Sequence, residues 1–136
     1  MIFLVFLVLT ILFAVLLTGG MVYMVNLMGN SVHRLHTHLE HVMNTNAPPP
    51  AWTQTVERKI ARAVETGKPD KYIRHLKSSG KKRVLKKLKH LIAYFKNSPV
   101  FENEHARTLL LNDLREIRTR WKEGQWEDIL AGTLFD

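Results

Sequence analysis

Four histidines lie within nine positions of the chain, in the segment "HRLHTHLEH" that begins at residue 33. Histidine is the commonest metal ligand, and its charge changes near pH 6.5, so the cluster suggests a metal site or a pH-sensitive contact. On one helix the four side chains spread over about 200°, at 100° per residue, and cannot all face one ion. A full metal site would need a second chain, and we predict no resident metal. The four residues are His33, His36, His38 and His41.

A histidine near the end of a membrane helix can also ligate a haem or a chlorophyll, and Gly29 lies one turn before His33. Histidines that bind such cofactors usually lie deeper in the hydrocarbon. We therefore predict no cofactor. The simplest interpretation is that the four histidines are polar residues at the level of the lipid headgroups or against a partner subunit.

A long apolar segment precedes the histidines. From Ile2 to Leu17 every residue except Thr10 is apolar, and the first charged side chain is Arg34. Fourteen of these sixteen residues are Leu, Ile, Val or Phe, which together favour membrane insertion by about 4 to 8 kcal/mol. With residues 21–25 the segment reaches the roughly 20 residues that cross a bilayer. We predict a single transmembrane helix, because the alternative of a cleaved signal peptide lacks a basic N-terminal region and a good cleavage site.

Basic residues are concentrated after the apolar segment. Between Arg58 and Lys96 there are fourteen Lys or Arg against two acids, whereas residues 97–136 hold five basic and eight acidic side chains. The positive-inside rule then places the N-terminus outside and the C-terminal domain in the cytoplasm. A bacterial inner membrane, or an organellar inner membrane with the domain on the matrix side, fits this orientation. The chain has no cysteine, which agrees with a reducing compartment.

The apolar pattern continues past the membrane segment with alternating spacings of three and four residues. This is the a/d pattern of helices that pack on one another. It predicts that the transmembrane helix extends to about residue 43 and contacts a helix of another protein or of a second copy. The contact residues that we predict are Val32, Leu35, Leu39 and Val42.

Three consecutive prolines divide the chain. They lie in "NTNAPPPA", and proline cannot continue a helix but favours an extended spacer. We predict a membrane and juxtamembrane helix over residues 1–43, a Pro-rich linker over 44–52 and a basic helical domain over 53–136.

The predicted domain is all-α, a bundle of four or five short helices. Apolar residues recur every three or four positions, and no segment shows sustained β alternation. We expect a helix capped by Thr53 or Thr55 and a short helix from Asp70 that closes at Gly80. Three more helices follow, one over Val84–Phe95, one lined by Leu110, Leu114, Ile117 and Trp121, and one over Trp126–Leu130.

The segment "KKRVLKKLKHLIAYFK", residues 81–96, is a basic amphipathic helix. Its basic face can be simply solvated, or it can bind anionic lipid headgroups, an acidic partner or nucleic acid. Nucleic acid is disfavoured because no known motif is present and no aromatic residues are interleaved on the basic face. The predicted basic surface is Lys82, Lys86, Lys87 and Lys89.

Catalytic motifs are missing from the sequence. We find no glycine-rich phosphate loop, no G-x-S-x-G and no cysteine nucleophile, and we predict that the protein is not an enzyme. We expect a single-pass membrane subunit that docks on a larger membrane protein complex and stabilises or assembles it. The alternative is a self-associating anchor that tethers acidic cargo or nucleic acid through residues 81–96.

Overall fold

The computed structural model describes residues 2–99, 101 and 103–135, without the side chains of residues 2–4, 27, 28, 30 and 135. Every regular element in these ranges is helical, which confirms the predicted all-α fold. The helices are α1 (Ile2–Thr45), α2 (Pro50–Glu65), α3 (Asp70–Asn97), α4 (Glu104–Glu123) and α5 (Trp126–Ala131), followed by a 3₁₀ turn at Thr133–Phe135.

The chain divides into two compact units, residues 1–37 and residues 38–136. In the first unit the side chains of residues 5–26 are all exposed, and most of them are large and apolar. The hydroxyl of Thr10 donates to the carbonyl four residues earlier at 2.7 Å, so this polar group is satisfied within the helix. In the described part of the chain, α1 alone is long and apolar enough to cross a membrane.

The second unit is built around α3, because α2, α4 and α5 all pack against it. Its inner side chains recur every three or four residues, the spacing of a single helix face. Burial of each large apolar side chain stabilises the fold by about 1.5–3 kcal/mol. The most deeply buried large side chains of α3 are Val84, Leu88, Leu91 and Phe95. α3 packs on α4, whose buried residues are Leu111, Leu114, Ile117 and Trp121.

Gly80 does not end a helix, and the predicted break there is wrong. α3 continues through Gly80, which is buried. A Cβ atom on this residue would lie 2.8 Å from Cγ1 of Val56 and 2.9 Å from Cη2 of Trp126. Glycine therefore allows α2 and α5 to approach α3 closely, and this packing offsets its poor helix propensity of about 1 kcal/mol.

The segment between α1 and α2 is shorter than predicted. α2 begins at Pro50, because a proline in the first turn of a helix needs no backbone N–H partner. Thr53, one of the two predicted N-caps, is instead a buried residue inside α2. Residues 47–49 are buried as well, so the proline segment packs within the second unit. The division into domains at 44–52 stays a prediction.

A side-chain cap that the sequence analysis missed sets the start of α4. The side-chain oxygen of Asn103 accepts a hydrogen bond from the backbone N–H of His105 at 2.8 Å. Such a cap stabilises a helix by about 1 kcal/mol. Within α4 the inward face includes Leu111, whereas the predicted Leu110 is half-buried.

Candidate interaction surfaces

The predicted contact residues of α1 differ in how much surface they offer. Val32 is 40% exposed, and Leu35 and Leu39 are half-buried. Val42 is fully buried in the second unit, so we correct its predicted role as a contact with another protein. The 3–4 spacing indicates burial but does not distinguish the chain's own core from a partner. Contact of Val32, Leu35 and Leu39 with another protein stays a prediction.

The four histidines have different surroundings. His33 is exposed, and His36 is half-buried. The ring of His38 meets the ring of Trp52 edge-on, with 5.4 Å between centroids. The described residues contain no group of three or more His, Cys, Asp or Glu side chains that could hold a metal ion. That the cluster holds no resident metal stays a prediction, and a pH-sensitive contact stays the alternative to it.

His41 and Glu57 both line a cleft of about 450 Å³ in the second unit. An imidazole and one carboxylate can hold a polar group, but they are fewer than the three or four protein ligands of a zinc site. The remaining lining is mostly small or apolar: Thr45, Ala47, Pro48, Pro50, Thr53, Leu130 and Ala131.

Lys87, which the sequence predicts on the basic surface, is half-buried. Its Nζ lies 5.8 Å from the centroid of the Trp52 ring, within the range of a cation–π contact. Burial lowers the pKa of Lys87, and the positive charge of Arg83 lowers it further. Lys87 is therefore less accessible than the exposed Lys82, Lys86 and Lys89, and its place in the basic surface stays a prediction.

Lys82, Lys86 and Lys89 are exposed on the outer side of α3, as a basic surface requires. Because α3 is continuous through Gly80, the same side carries further basic residues toward both ends. The sequence itself contains this pattern, because successive basic residues on this side are three, four or seven positions apart. The predicted break at Gly80 kept the pattern from being extended along the whole helix. We call the whole set the lysine stripe: Lys71, His75, Lys82, Lys86, Lys89 and Lys96.

Two other lysines of α3 make polar contacts with α5 and the turn before it. Lys77 forms an ion pair with Glu127 of α5, and Lys81 Nζ donates to the carbonyl of Gly124 at 2.7 Å. Both line a cleft of about 310 Å³ that also includes Arg74. The hydrogen bond from Lys77 is the main reason that the pKa of Glu127 is lowered. Lys77 therefore links α3 to α5, and Lys81 links α3 to the turn before α5.

No known protein family, curated protein or solved structure matches the chain. Function is therefore inferred from the residues and the geometry described above.

Proposed function

We propose that the protein is a non-catalytic, single-pass membrane subunit that docks on a larger membrane protein complex and stabilises or assembles it. The proposal rests on the observation that the chain combines an exposed apolar helix with a folded helical unit. Residues 5–26 present a fully exposed apolar helix surface, and residues 38–136 form a folded helical unit. An apolar surface of this length requires lipid or other apolar helices around it.

The docking surface in this proposal is the part of α1 that follows the membrane segment. Val32, Leu35 and Leu39 retain accessible surface, whereas Val42 is used by the chain's own core. Half-exposed leucines at i and i+4 form a narrow apolar stripe, the kind of surface by which one helix packs on another.

Orientation is part of the proposal. The basic excess after the apolar segment favours a cytoplasmic second unit and an N-terminus on the opposite side. A bacterial inner membrane, or an organellar inner membrane with the unit facing the matrix, would have this arrangement.

Site-specific photo-crosslinking in cells tests the docking surface. A photoreactive phenylalanine analogue is placed at Leu35, at Leu39 and, as a matched control, at Thr37. Thr37 is exposed and lies about 200° around the helix from either leucine. We expect the two leucine positions to crosslink to the same integral membrane protein and the control to give little product. Equal products at all three positions, or none at any, would contradict the proposal.

A second function is favoured by the exposed lysines of α3. In this alternative the protein is a self-associating anchor that tethers acidic cargo or nucleic acid through Lys82, Lys86 and Lys89. It predicts crosslinks between two copies of this chain at Leu35. It also predicts that purified protein retains nucleic acid, with affinity that falls steeply as salt is raised.

A further inference from the structure

The lysine stripe forms one straight side of α3. At 100° per residue its six members fall within about 80° of one another, on the side away from the core. All six are exposed. From Lys71 to Lys96 the stripe is about 38 Å long at 1.5 Å per residue, because α3 is unbroken between these positions.

The positive charge of the stripe is not neutralised within the described chain. The sequence has no acidic residue from position 71 to position 101. The ion pairs found among the described residues involve Lys77, Arg107 and Arg120, and none includes a member of the stripe. The five lysines of the stripe are therefore a row of cations available to an anionic partner.

The apolar side of α3 is already occupied. Val84 and Leu91 are each 1% exposed, and Leu88 and Phe95 are completely buried. Insertion of this amphipathic helix into a bilayer would require the core to open. If the folded unit binds a membrane, it therefore does so through its charges at the level of the headgroups, and the apolar side of α3 stays in the protein core.

The composition of the stripe fits an anionic lipid surface better than nucleic acid. It contains five lysines and one histidine, which offer compact charges on flexible stems, while the exposed arginines of α3, Arg74 and Arg83, lie about 40° and 60° around the helix from its nearest members. Single-stranded nucleic acid also needs exposed aromatic rings for base stacking. The three tryptophans are each at most 5% exposed, and within α3 the one exposed aromatic ring of Phe, Tyr or Trp is Tyr72, at the start of the helix, so no row of rings accompanies the stripe.

We propose that the lysine stripe of α3 binds the anionic phospholipid headgroups of the membrane in which α1 is anchored. The covalent link to the apolar segment holds the folded unit at a high effective concentration near that membrane. Each lysine close to an anionic leaflet then strengthens binding about fivefold, an effect that salt screens within about 10 Å. The proposal rests on membrane anchoring by α1 and does not require docking on another protein.

Lysine labelling of the full chain in lipid nanodiscs provides the test. The protein is placed in discs of phosphatidylcholine alone or of phosphatidylcholine with phosphatidylglycerol, and acetylation of each lysine is followed by mass spectrometry. We expect Lys86 and Lys89 to be acetylated several-fold more slowly in the anionic discs and to recover in high salt. Lys122 of α4, which is exposed but outside the stripe, should react at the same rate in both.

A pair of charge-matched variants separates the stripe from overall charge. K82E/K86E/K89E reverses three charges within the stripe, and K59E/R118E/K122E reverses three exposed charges outside it. The first variant should lose the protection of the remaining stripe lysines, Lys71 and Lys96, while the second should keep it. Circular dichroism confirms that both variants are folded.

Three results would overturn the proposal. The first is equal labelling of the stripe in both kinds of disc, and the second is protection of Lys122 to the same degree as the stripe. The third is stronger protection of the stripe by added RNA in neutral discs than by anionic lipid, which would make it a nucleic acid surface. Co-elution with neutral discs reports insertion of α1 separately, so failure of the stripe is distinguishable from failure of the anchor.

Discussion

The indole N–H of Trp121 donates a hydrogen bond of 2.9 Å to the backbone carbonyl of Asn46, 75 residues away in sequence. Trp121 is fully buried in α4, and Asn46 follows the last residue of α1. The contact joins α4 to the connection between α1 and α2. The end of α1 is thereby held in the folded unit by a polar contact as well as by the burial of Val42.

Replacement of Trp121 by Phe tests this contact. Trp121→Phe keeps an aromatic ring but leaves the Asn46 carbonyl without this donor, so we expect a loss of about 1–3 kcal/mol in the free energy of unfolding. Trp126→Phe is the matched control, since Trp126 is also buried and its indole makes no described hydrogen bond. Urea unfolding of the full chain in detergent, followed by tryptophan fluorescence, measures both. A Trp121→Phe variant that is more stable than the control would refute the role of the hydrogen bond.

Substitution of Gly80 tests the close packing of α2 and α5 on α3. In an open helix Gly→Ala would stabilise by about 1 kcal/mol. Here the added methyl would lie under 3 Å from Val56 and Trp126, and overpacking of this kind costs about 1–3 kcal/mol. We therefore expect Gly80→Ala to be neutral or destabilising by up to about 2 kcal/mol. Ser79→Ala, at an exposed position of the same helix, is the control. A stabilised Gly80→Ala would show that α3 is less closely packed.

Alanine substitutions at two glycines with positive φ distinguish the cost of backbone strain from the cost of a steric clash. Gly67 has φ +63° and open space around it, so Gly67→Ala should cost about 1–2 kcal/mol from the left-handed conformation alone. Gly132 has φ +70°, and a Cβ there would lie 2.2 Å from the carbonyl oxygen of Thr45. Gly132→Ala should therefore be the more destabilising, because the α1 backbone also has to move. Equal melting temperatures for the two variants would contradict the contact at Thr45.

Acid titration tests the Lys77–Glu127 pair. The hydrogen bond from Lys77 lowers the pKa of Glu127 from its ordinary value of 4.5. A lowered carboxyl pKa stabilises the folded state above the ordinary value, and this stability is lost as the pH falls through the folded-state pKa. Because the Glu127 side chain is 60% exposed, solvent screening limits the effect to about 0.5 kcal/mol.

The matched variants for this pair are Glu127→Gln and Asp128→Asn, which remove one acidic charge from the same helix. We expect Glu127→Gln to be slightly less stable than the control at neutral pH and equal to it well below pH 4.5. The difference is read from urea unfolding across the pH range. A difference that persists in acid would assign the effect to something other than the ion pair.

The spacing of apolar residues was enough to predict most of the helices. The features that it did not predict depend on contacts between particular residues. Apolar spacing over residues 84–95 predicted a helix there, and α3 buries Val84, Leu88, Leu91 and Phe95 but leaves Leu85 and Ile92 of the same apolar face half-buried. Glycine and proline signals were ambiguous, because the same residue type can end a helix or permit close packing. The sequence therefore predicts a helix end at Gly80, where α3 continues, and a start of α2 after Pro50, although proline is favoured in a first turn.

The candidate surfaces were harder to predict, because the spacing within one helix does not tell which other helix covers each position. Exposure of Lys82, Lys86 and Lys89 followed from their side of the helix. The partial burial of Lys87 did not follow from its side of the helix. It depends on contact with Trp52 of α2, and the sequence does not show where α2 lies. Val42 shared the spacing of Leu35 and Leu39, yet the pattern does not say which helix covers each position.

Purification of the full chain in a mild detergent tests the proposed subunit role most directly. The tagged protein is expressed at its native level, isolated from membranes and quantified together with its co-purifying proteins by mass spectrometry. The account predicts one integral membrane complex at a fixed stoichiometric ratio, lost when Leu35 and Leu39 are both replaced by Asp and retained when Thr37 is. Recovery of the protein alone, or only as a complex of its own copies, would contradict it.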